Sequence, residues 1–279
     1  MRTIGGLREI ADHFDLLLVD QYGVLHDGTT PYPGAIEALA GLASRGRKVI
    51  VLTNSGKSSA ANRARLDVLG FMDSRLHAVV SSGEVALQCV RDRTLGPLFA
   101  EGADICVIGH PGDTYAFASD HFALIADPQH AAFLVFAGSD APRTSLDGYR
   151  SMLIAAARAQ VPAICVNPDV TMIRDGALVP APGAIARVYE SLGGTVEYFG
   201  KPYAAIFDHA IATAAMAPGA RIIMIGDSPE HDLAGAKAMG LSTLLVRTGI
   251  HRDLSKQQLL HLCEKYGGRP DFLAPAFEW

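Results

Sequence analysis

Polar side chains stand at the carboxyl ends of four short apolar runs in this chain. The runs DLLLVD, KVIVLTN, TVEYFGK and RIIMIGD end at or beside Asp20, Thr53 with Asn54, Lys201 and Asp227. Carboxylates are the ligands that a hard cation prefers, whereas a lysine neutralises an anion and a small hydroxyl binds a phosphoryl oxygen. Any one of these residues alone is typical of a helix cap or a turn. Together they predict a pocket for a cation and a phosphoryl group.

The elements that must position these residues alternate between strand and helix. Each run has the continuous apolar character of a buried parallel strand. Pro33 and Gly34 open a segment with apolar residues at helical spacing, and Ser228 with Pro229 is typical of an N-cap and a first helical residue. The alternation predicts an α/β fold, a Rossmann-like doubly wound parallel-sheet core, in which ligands bind beyond the carboxyl ends of the strands.

The interval between Thr53 and Lys201 is far longer than one strand-helix unit needs. It contains strand-like runs of its own (DICVIG, AAFLVFAG and PAICVN) and a helical pattern at about 145–159. We therefore expect an inserted α/β cap domain at 83–180, and a core formed by 1–82 and 181–279. The end of the chain has an amphipathic helical pattern at 252–267 and a final PDFLAPAFEW segment that is typical of an edge strand or a tail.

Composition excludes several classes of protein. The chain has 279 residues, 49% of them hydrophobic and 19% charged, and a formal net charge of −5, so neither nucleic acid nor an anionic membrane is an expected partner. Four widely spaced cysteines form no C-x-x-C pair, and the ten histidines show no metal-ligand spacing. The charged N-terminal segment and the lack of a long apolar run predict a cytoplasmic protein.

Four segments in order resemble the signature motifs of the haloacid dehalogenase (HAD) superfamily. They are VDQYGVLHDG, VLTNSGKSS, FGKPY and MIGDSPEHDLAGAKAMG, and the likeness extends over residues 15–246. The place of the insert, together with GVLHDG, VNPDVT and GKP, is most similar to class IIA of that superfamily. This class contains sugar-phosphate, nucleotide and pyridoxal-phosphate phosphatases. Four motifs in order are far more specific than any one of them.

The resemblance assigns a role to each acidic residue of the pocket. Asp20 is the expected nucleophile, which attacks phosphorus and forms an aspartyl-phosphate. Asp20, Asp227 and the backbone carbonyl of Tyr22 are expected to hold Mg²⁺. Asp232 is also expected to belong to the metal site, where it would orient a metal-bound water or Lys201, with a helix-start aspartate as the structural alternative.

The remaining site residues are expected to bind the phosphoryl group and the substrate. Thr53 and neighbouring backbone N–H groups would hold the phosphoryl oxygens with help from Asn54, and Lys201 would neutralise the transferring group. Tyr22 and Asn54 are candidates for substrate binding. Asn167 and Asp169, from the VNPDV segment, are further candidates, although Asn-Pro-Asp is also ordinary turn chemistry.

Tyr22 departs from the pattern of the superfamily. Most of its phosphatases have an aspartate two residues after the nucleophile, which protonates the leaving group and then activates water. A phenol is a weak acid and a poor base near neutral pH. Three consequences stay open: His26, Asp27 or a cap residue takes over, hydrolysis of the phospho-enzyme is slow, or the protein binds phosphate without turnover.

The sequence thus predicts a Mg²⁺-dependent phosphomonoesterase acting on a small phosphorylated metabolite, a sugar phosphate or a nucleotide. One alternative is a catalytically impaired phosphate-binding or regulatory protein, because of Tyr22. Another is a 2-haloacid dehalogenase, which D-x-Y-G also resembles, but that chemistry has no use for both Asp227 and Asp232. A homodimer is common in the resembled class and is a further expectation.

Overall fold

The computed structural model describes residues 1–72, 76–174 and 176–279. The chain divides into two compact units, which we describe separately. The first comprises Met1–Thr53, Ala60–Val80 and Lys201–Trp279, and the second comprises Asn54–Ser59 and Ser81–Gly200. The second unit includes more residues than the predicted cap at 83–180. The predicted domain boundaries stay a prediction.

Strands and helices alternate along most of the chain. The strands are β1 Arg2–Thr3, β2 Leu16–Asp20, β3 Lys48–Thr53, β4 Ala78–Ser81, β5 Asp104–Ile108, β6 Ala123–Leu124, β7 Phe133–Phe136, β8 Ala163–Cys165, β9 Thr171–Arg174, β10 Ala177–Pro180, β11 Val196–Tyr198, β12 Ile222–Gly226, β13 Ser242–Val246 and β14 Phe272–Ala274. The α-helices are α1 Ala35–Ser44, α2 Ser59–Leu66, α3 Ser82–Arg91, α4 Leu146–Arg158, α5 Pro182–Ser191, α6 Ala204–Ala214, α7 Ala234–Ala238 and α8 Lys256–Tyr266. A π-helical turn, Pro229–Leu233, leads directly into α7.

The first unit is built on a seven-stranded sheet with the order β1-β14-β13-β12-β2-β3-β4. Its strands from β1 to β3 in this order pair in parallel, and Val19 of β2 lies opposite Ile225 of β12 and Val51 of β3. Every residue of β2 is buried, as expected for a strand covered on both faces. Helices α1 and α6 pack against β3. The predicted α/β class with a parallel, Rossmann-like sheet is confirmed.

The second unit has a parallel sheet of its own, in the order β11-β8-β7-β5-β6, and an antiparallel pair formed by β9 and β10. The helix expected at about 145–159 is α4, whose N-cap Ser145 accepts a hydrogen bond from the Gly148 N–H at 3.1 Å. The side chains of Phe136, Tyr149 and Tyr189 lie in its hydrophobic core.

The expectation that four strands of one sheet carry the four polar groups is wrong for the TVEYFGK run. Its strand, β11, pairs with β8 at the edge of the second unit's sheet. The reason is its pattern: Val196 and Tyr198 are half-buried and Glu197 is exposed, which suits an edge strand and not a central parallel one. Lys201 follows this strand and begins the last segment of the first unit.

The C-terminal segment also differs from expectation. Helix α8 forms as predicted, with a capping box between Ser255 and Gln258. However, β14 lies between β13 and the short N-terminal strand β1, so the edge position belongs to β1. Phe277 beyond it is fully buried. In the described part of the chain, no helix combines the length and the apolar character that crossing a membrane requires.

Candidate active site

Three carboxylates and one lysine form a buried cluster in the first unit. Asp20 is the last residue of β2 and Asp227 directly follows β12; these two strands are neighbours in the sheet. Asp232 lies in the π-helical turn after β12, and Lys201 is only 3% exposed. The structure therefore brings together four of the site residues that the sequence predicts: Asp20, Lys201, Asp227 and Asp232.

Lys201 joins two of the carboxylates. Its Nζ donates to Asp20 Oδ1 at 2.5 Å and to Asp232 Oδ1 at 2.7 Å. The other oxygen of Asp232 accepts the Ser228 backbone N–H at 3.0 Å. Both oxygens of Asp232 are thus bonded within the protein, one of them to Lys201, and its role toward a cation stays a prediction.

Asp227 is enclosed by two loops, one after β2 and one after β13. The Ile250 N–H donates to Asp227 Oδ2 at 3.2 Å. Gly23 and Gly249 have φ of +85° and +72°, and a Cβ at either position would collide with the Asp227 carboxylate. The Thr248 hydroxyl donates to the Gly23 carbonyl and ties the loops together. Sequence reasoning missed these loop residues, because the glycine of RTGI carries no signal of its own.

Burial strongly affects the protonation of the cluster. It raises the pKa of Asp20 to about 7, with Asp232 adding to the rise and Lys201 opposing it. Burial, Asp20 and Asp232 raise the pKa of Asp227 well above its ordinary value. Burial alone would lower the pKa of Lys201, but Asp20 and Asp232 outweigh it and raise that pKa. Three carboxylates against one ammonium leave the ionised cluster net negative.

The donor set fits a hard divalent cation. One carboxylate oxygen from each of Asp20, Asp227 and Asp232 can be chosen so that the three lie within 4.8 Å of one another. Carboxylate oxygens are the ligands that Mg²⁺ and Ca²⁺ take in proteins, and a cation here would offset the excess negative charge.

Thr53 ends β3 at the same edge of the sheet as Asp20. Asp20 lies opposite Leu52 in the register of β2 and β3, so Thr53 is one residue beyond it. Thr53 is buried. The geometry thus places a hydroxyl-bearing residue at the strand end next to the candidate nucleophile.

Asn54, Asn167 and Asp169 form a separate network within the second unit. Asn54 Nδ2 donates to Asp169 Oδ1 at 2.8 Å, and the Asp169 N–H donates to Asn167 Oδ1 at 3.0 Å. The second bond is ordinary Asx-turn chemistry. Three of the four predicted substrate-binding residues are thus brought together, whereas the fourth, Tyr22, belongs to the first unit. The role of all four toward a substrate stays a prediction.

The loop after Asp20 uses its ionisable side chains for its own structure. His26 is buried, its Nδ1 accepts the Gly28 N–H at 2.9 Å, and burial lowers its pKa to about 4. The Asp27 carboxylate accepts the backbone N–H groups of Thr30 and Thr29, which hold its pKa well below the ordinary range.

Tyr22 projects from the same loop and is 45% exposed. Its ring packs edge-on against the His26 ring, with centroids 4.5 Å apart, and the Arg65 guanidinium lies 5.7 Å from the ring centroid. Arg65 also donates to the Gly28 carbonyl. An aromatic side chain therefore occupies the position at which the resembled phosphatases have a carboxylate.

Two family models match the chain. The haloacid dehalogenase-like hydrolase model matches residues 17–123, and a second model, of HAD-hydrolase-like proteins, matches residues 198–278. The first range includes Asp20 and Thr53, and the second includes Lys201, Asp227 and Asp232.

Curated relatives and solved structures are similar over most of the chain. Chronophin from Bos taurus is 28% identical over 88% of this chain and 84% of its own length. D-glycerol 3-phosphate phosphatase from Mycobacterium tuberculosis is 28% identical over 88% of this chain and 66% of its own. A haloacid dehalogenase-like hydrolase from Brucella suis has a TM-score of 0.80 at 27% identity, covering 98% of this chain and 99% of the other. The glycerol phosphate phosphatase of M. tuberculosis, solved in complex with magnesium, has a TM-score of 0.72 at 25% identity, covering 96% and 76%.

Proposed function

Because this chain belongs to the haloacid dehalogenase-like hydrolases and is a phosphatase, we propose that it cleaves a small phosphorylated metabolite through a covalent intermediate on Asp20. The observation that carries the proposal is the buried cluster in which Lys201 Nζ lies 2.5 Å from Asp20 Oδ1 beside Asp227 and Asp232. The family expected from the sequence motifs is confirmed, and the relatives are consistent with class IIA.

The proposed reaction has two displacements at phosphorus. An Asp20 oxygen forms a bond to phosphorus while the ester P–O bond breaks, and the leaving oxygen keeps the electron pair. Water then attacks phosphorus, which releases inorganic phosphate and regenerates the carboxylate. Lys201 favours the ionised, nucleophilic form of Asp20, against the burial that raises its pKa to about 7. Thr53 would donate to a phosphoryl oxygen.

We assign a divalent cation, with Mg²⁺ as the expected ion, to Asp20, Asp227 and the Tyr22 backbone carbonyl. The closeness of an Asp20 and an Asp227 carboxylate oxygen, which lie within 4.8 Å of each other, supports the part of these two residues in the assignment. The magnesium complex of the M. tuberculosis relative supports the choice of ion. The bound cation would neutralise negative charge on the phosphoryl group. Asp232 would hold Lys201 in place.

The substrate class follows from the relatives and from the chemistry of the cluster. The similarity to D-glycerol 3-phosphate phosphatase supports a small phosphorylated metabolite, and a sugar phosphate or a nucleotide is the expectation carried from the motifs. Asn54, Asn167 and Asp169 are proposed to contribute to substrate binding. A homodimer and a cytoplasmic location also stay predictions.

The test is a screen of phosphorylated metabolites, with p-nitrophenyl phosphate as a general probe, on wild type, Asp20→Asn and Asp253→Asn. Asp253 is a matched control because its side chain is 92% exposed. We expect phosphate release that EDTA abolishes, a loss of about 10³-fold or more in Asp20→Asn, and no change in Asp253→Asn. Unchanged release by Asp20→Asn, or halide release from 2-haloacids that survives EDTA, would contradict the proposal. Phosphate binding without turnover of any substrate would favour the regulatory alternative.

A further inference from the structure

Breaking a phosphate ester leaves an electron pair on the departing oxygen. An alkoxide is a poor leaving group, so enzymes usually donate a proton to it, and such general acid catalysis contributes about 10²- to 10⁴-fold. A carboxylate, an enolate, a phenolate or a phosphate leaves as a stable anion and needs no such donor. Three ionisable side chains follow Asp20 in its loop: Tyr22, His26 and Asp27.

Asp27 is committed to the turn that it begins. Its Oδ1 accepts the Thr29 N–H, the Thr29 hydroxyl and the Thr30 N–H, each at 2.8 Å, and its Oδ2 accepts the Thr30 hydroxyl at 3.2 Å. Four donated hydrogen bonds require the ionised carboxylate, which has no proton to give.

His26 is sealed inside the loop. The residue is fully buried, its Nδ1 accepts the Gly28 N–H at 2.9 Å, and its Nε2 lies 3.1 Å from Gln21 Nε2. Because Nδ1 is an acceptor, the proton of the neutral ring is on Nε2. That proton lies inside the loop beside the Gln21 side chain and away from solvent.

Tyr22 supplies a phenol where a carboxylic acid would be the stronger donor. Its ring packs against the His26 ring and lies near the Arg65 guanidinium. It also lies close to Gly28: a Cβ added to this glycine would be 3.3 Å from the Tyr22 ring. In the cluster itself, Lys201 is held between Asp20 and Asp232, and Asp232 uses both oxygens.

We infer, on the basis of the proposed function, that no side chain of the buried cluster or of the described loop after Asp20 donates a proton to the leaving group, and that the site therefore prefers substrates whose leaving group departs as a stable anion. The substrate class is then acyl, enol and aryl phosphates and phosphoanhydrides. They rank ahead of alkyl phosphates, which include glycerol phosphate and also the sugar phosphates and nucleotides expected from the motifs. In the first step the Asp20 oxygen bonds to phosphorus, the P–O bond to the leaving group breaks, and the electron pair stays on the leaving oxygen without protonation.

The test compares kcat/KM for p-nitrophenyl phosphate, phenyl phosphate, acetyl phosphate and sn-glycerol 3-phosphate. This parameter reports steps up to the first irreversible one, so slow hydrolysis of the phospho-enzyme does not mask it. The two aryl esters are matched in shape but differ in leaving-group stability. We expect a fall of about 10²-fold from the nitrophenyl to the phenyl ester, a further fall for glycerol phosphate, and efficient use of acetyl phosphate. A difference below tenfold between the aryl esters would overturn the inference.

Two variants at position 22 test directly whether a proton donor there changes the preference among leaving groups. Tyr22→Asp should raise kcat/KM for phenyl phosphate about 10²-fold relative to p-nitrophenyl phosphate, whereas Tyr22→Phe should keep the wild-type ratio. A selective loss of phenyl and glycerol phosphate cleavage in Tyr22→Phe would identify the phenol as the donor and overturn the inference. If Tyr22→Asp does not fold, the ratio of kcat/KM for p-nitrophenyl phosphate to that for phenyl phosphate in wild type decides whether the inference holds. Failure of the proposed function is distinguishable, because it appears as activity that does not depend on Asp20.

Discussion

The ammonium group of Lys201 is the buried positive charge that Asp20 and Asp232 share. Removing one partner of a buried ion pair leaves an uncompensated charge in a medium that solvates it poorly. A lysine in this position thus stabilises the cluster, in addition to the part in the chemistry that we propose for it. Lys237 makes a comparable pair with Asp271, but near the surface.

Lys201→Met should lose about 10²-fold or more in phosphatase activity and about 3 kcal/mol in free energy of unfolding in EDTA. Lys237→Met is the matched control, and its loss should stay below about 1 kcal/mol because exposed pairs contribute little. Urea unfolding and phosphate release measure both effects. Equal stability of Lys201→Met and wild type would contradict the role assigned to this lysine.

The loops after β2 and β13 enclose the Asp227 carboxylate of the acidic cluster. Each brings a glycine with positive φ against Asp227, at Gly23 and at Gly249. A side chain at either glycine would be strained by its backbone conformation and would also displace the carboxylate. The positions of these two loops therefore depend on the close approach of Gly23 and Gly249 to Asp227 as much as on hydrogen bonds.

Gly249→Ala should lower the free energy of unfolding by about 2 kcal/mol and reduce phosphatase activity by displacing Asp227. Gly268→Ala separates the two effects, since Gly268 also has positive φ (+85°) but has no neighbour within 4 Å of its Cβ position. It should show only the backbone strain, about 1 kcal/mol, with full activity. Equal effects of the two substitutions would contradict the close approach.

The loop that holds His26 should make stability depend on pH. Burial lowers the folded-state pKa of His26 to about 4, whereas an unfolded histidine titrates near 6.5. The unfolded state therefore binds more protons between these values, so the contribution of His26 is fully present above about pH 6.5 and is lost as pH falls toward 4.

His26→Gln should be less sensitive to acid than wild type. Between pH 7 and pH 5, the free energy of unfolding of wild type should fall by about 2 kcal/mol more than that of the variant. Urea unfolding at the two pH values measures this difference and cancels the contribution of the other titrating groups. Parallel pH profiles for the two proteins would contradict a buried, neutral His26.

Across the molecule, continuous apolar runs were the most informative signal. LLLVD, KVIVLT and IIMIG were predicted correctly as central strands because burial on both faces leaves no alternation, and the order of polar groups at their ends led to Asp20, Thr53 and Asp227. The strand before Lys201 was assigned to the wrong sheet, because its V-E-Y alternation, which suits an edge strand, was interpreted as a buried parallel strand. The approach of Gly249 to Asp227 could not be foreseen, because it depends on how two loops pack.

A net negative cluster couples cation binding to the stability of the whole protein. A ligand that binds only the folded state stabilises it by about 2.7 kcal/mol at 100 times its Kd. Saturating Mg²⁺ should therefore raise the Tm of wild type and of Asp253→Asn. Asp227→Asn should lose most of this shift, which differential scanning calorimetry with and without Mg²⁺ can show. An undiminished shift in Asp227→Asn would place the cation elsewhere.

The central claim is that the Asp20 carboxylate receives the phosphoryl group. Mass spectrometry of protein quenched within milliseconds of mixing with acetyl phosphate tests it most directly. We expect one added phosphoryl group, labile to hydroxylamine, that maps to the peptide containing Asp20 and is missing from Asp20→Asn. Turnover with the adduct on another residue, or an equal adduct in Asp20→Asn, would contradict the claim.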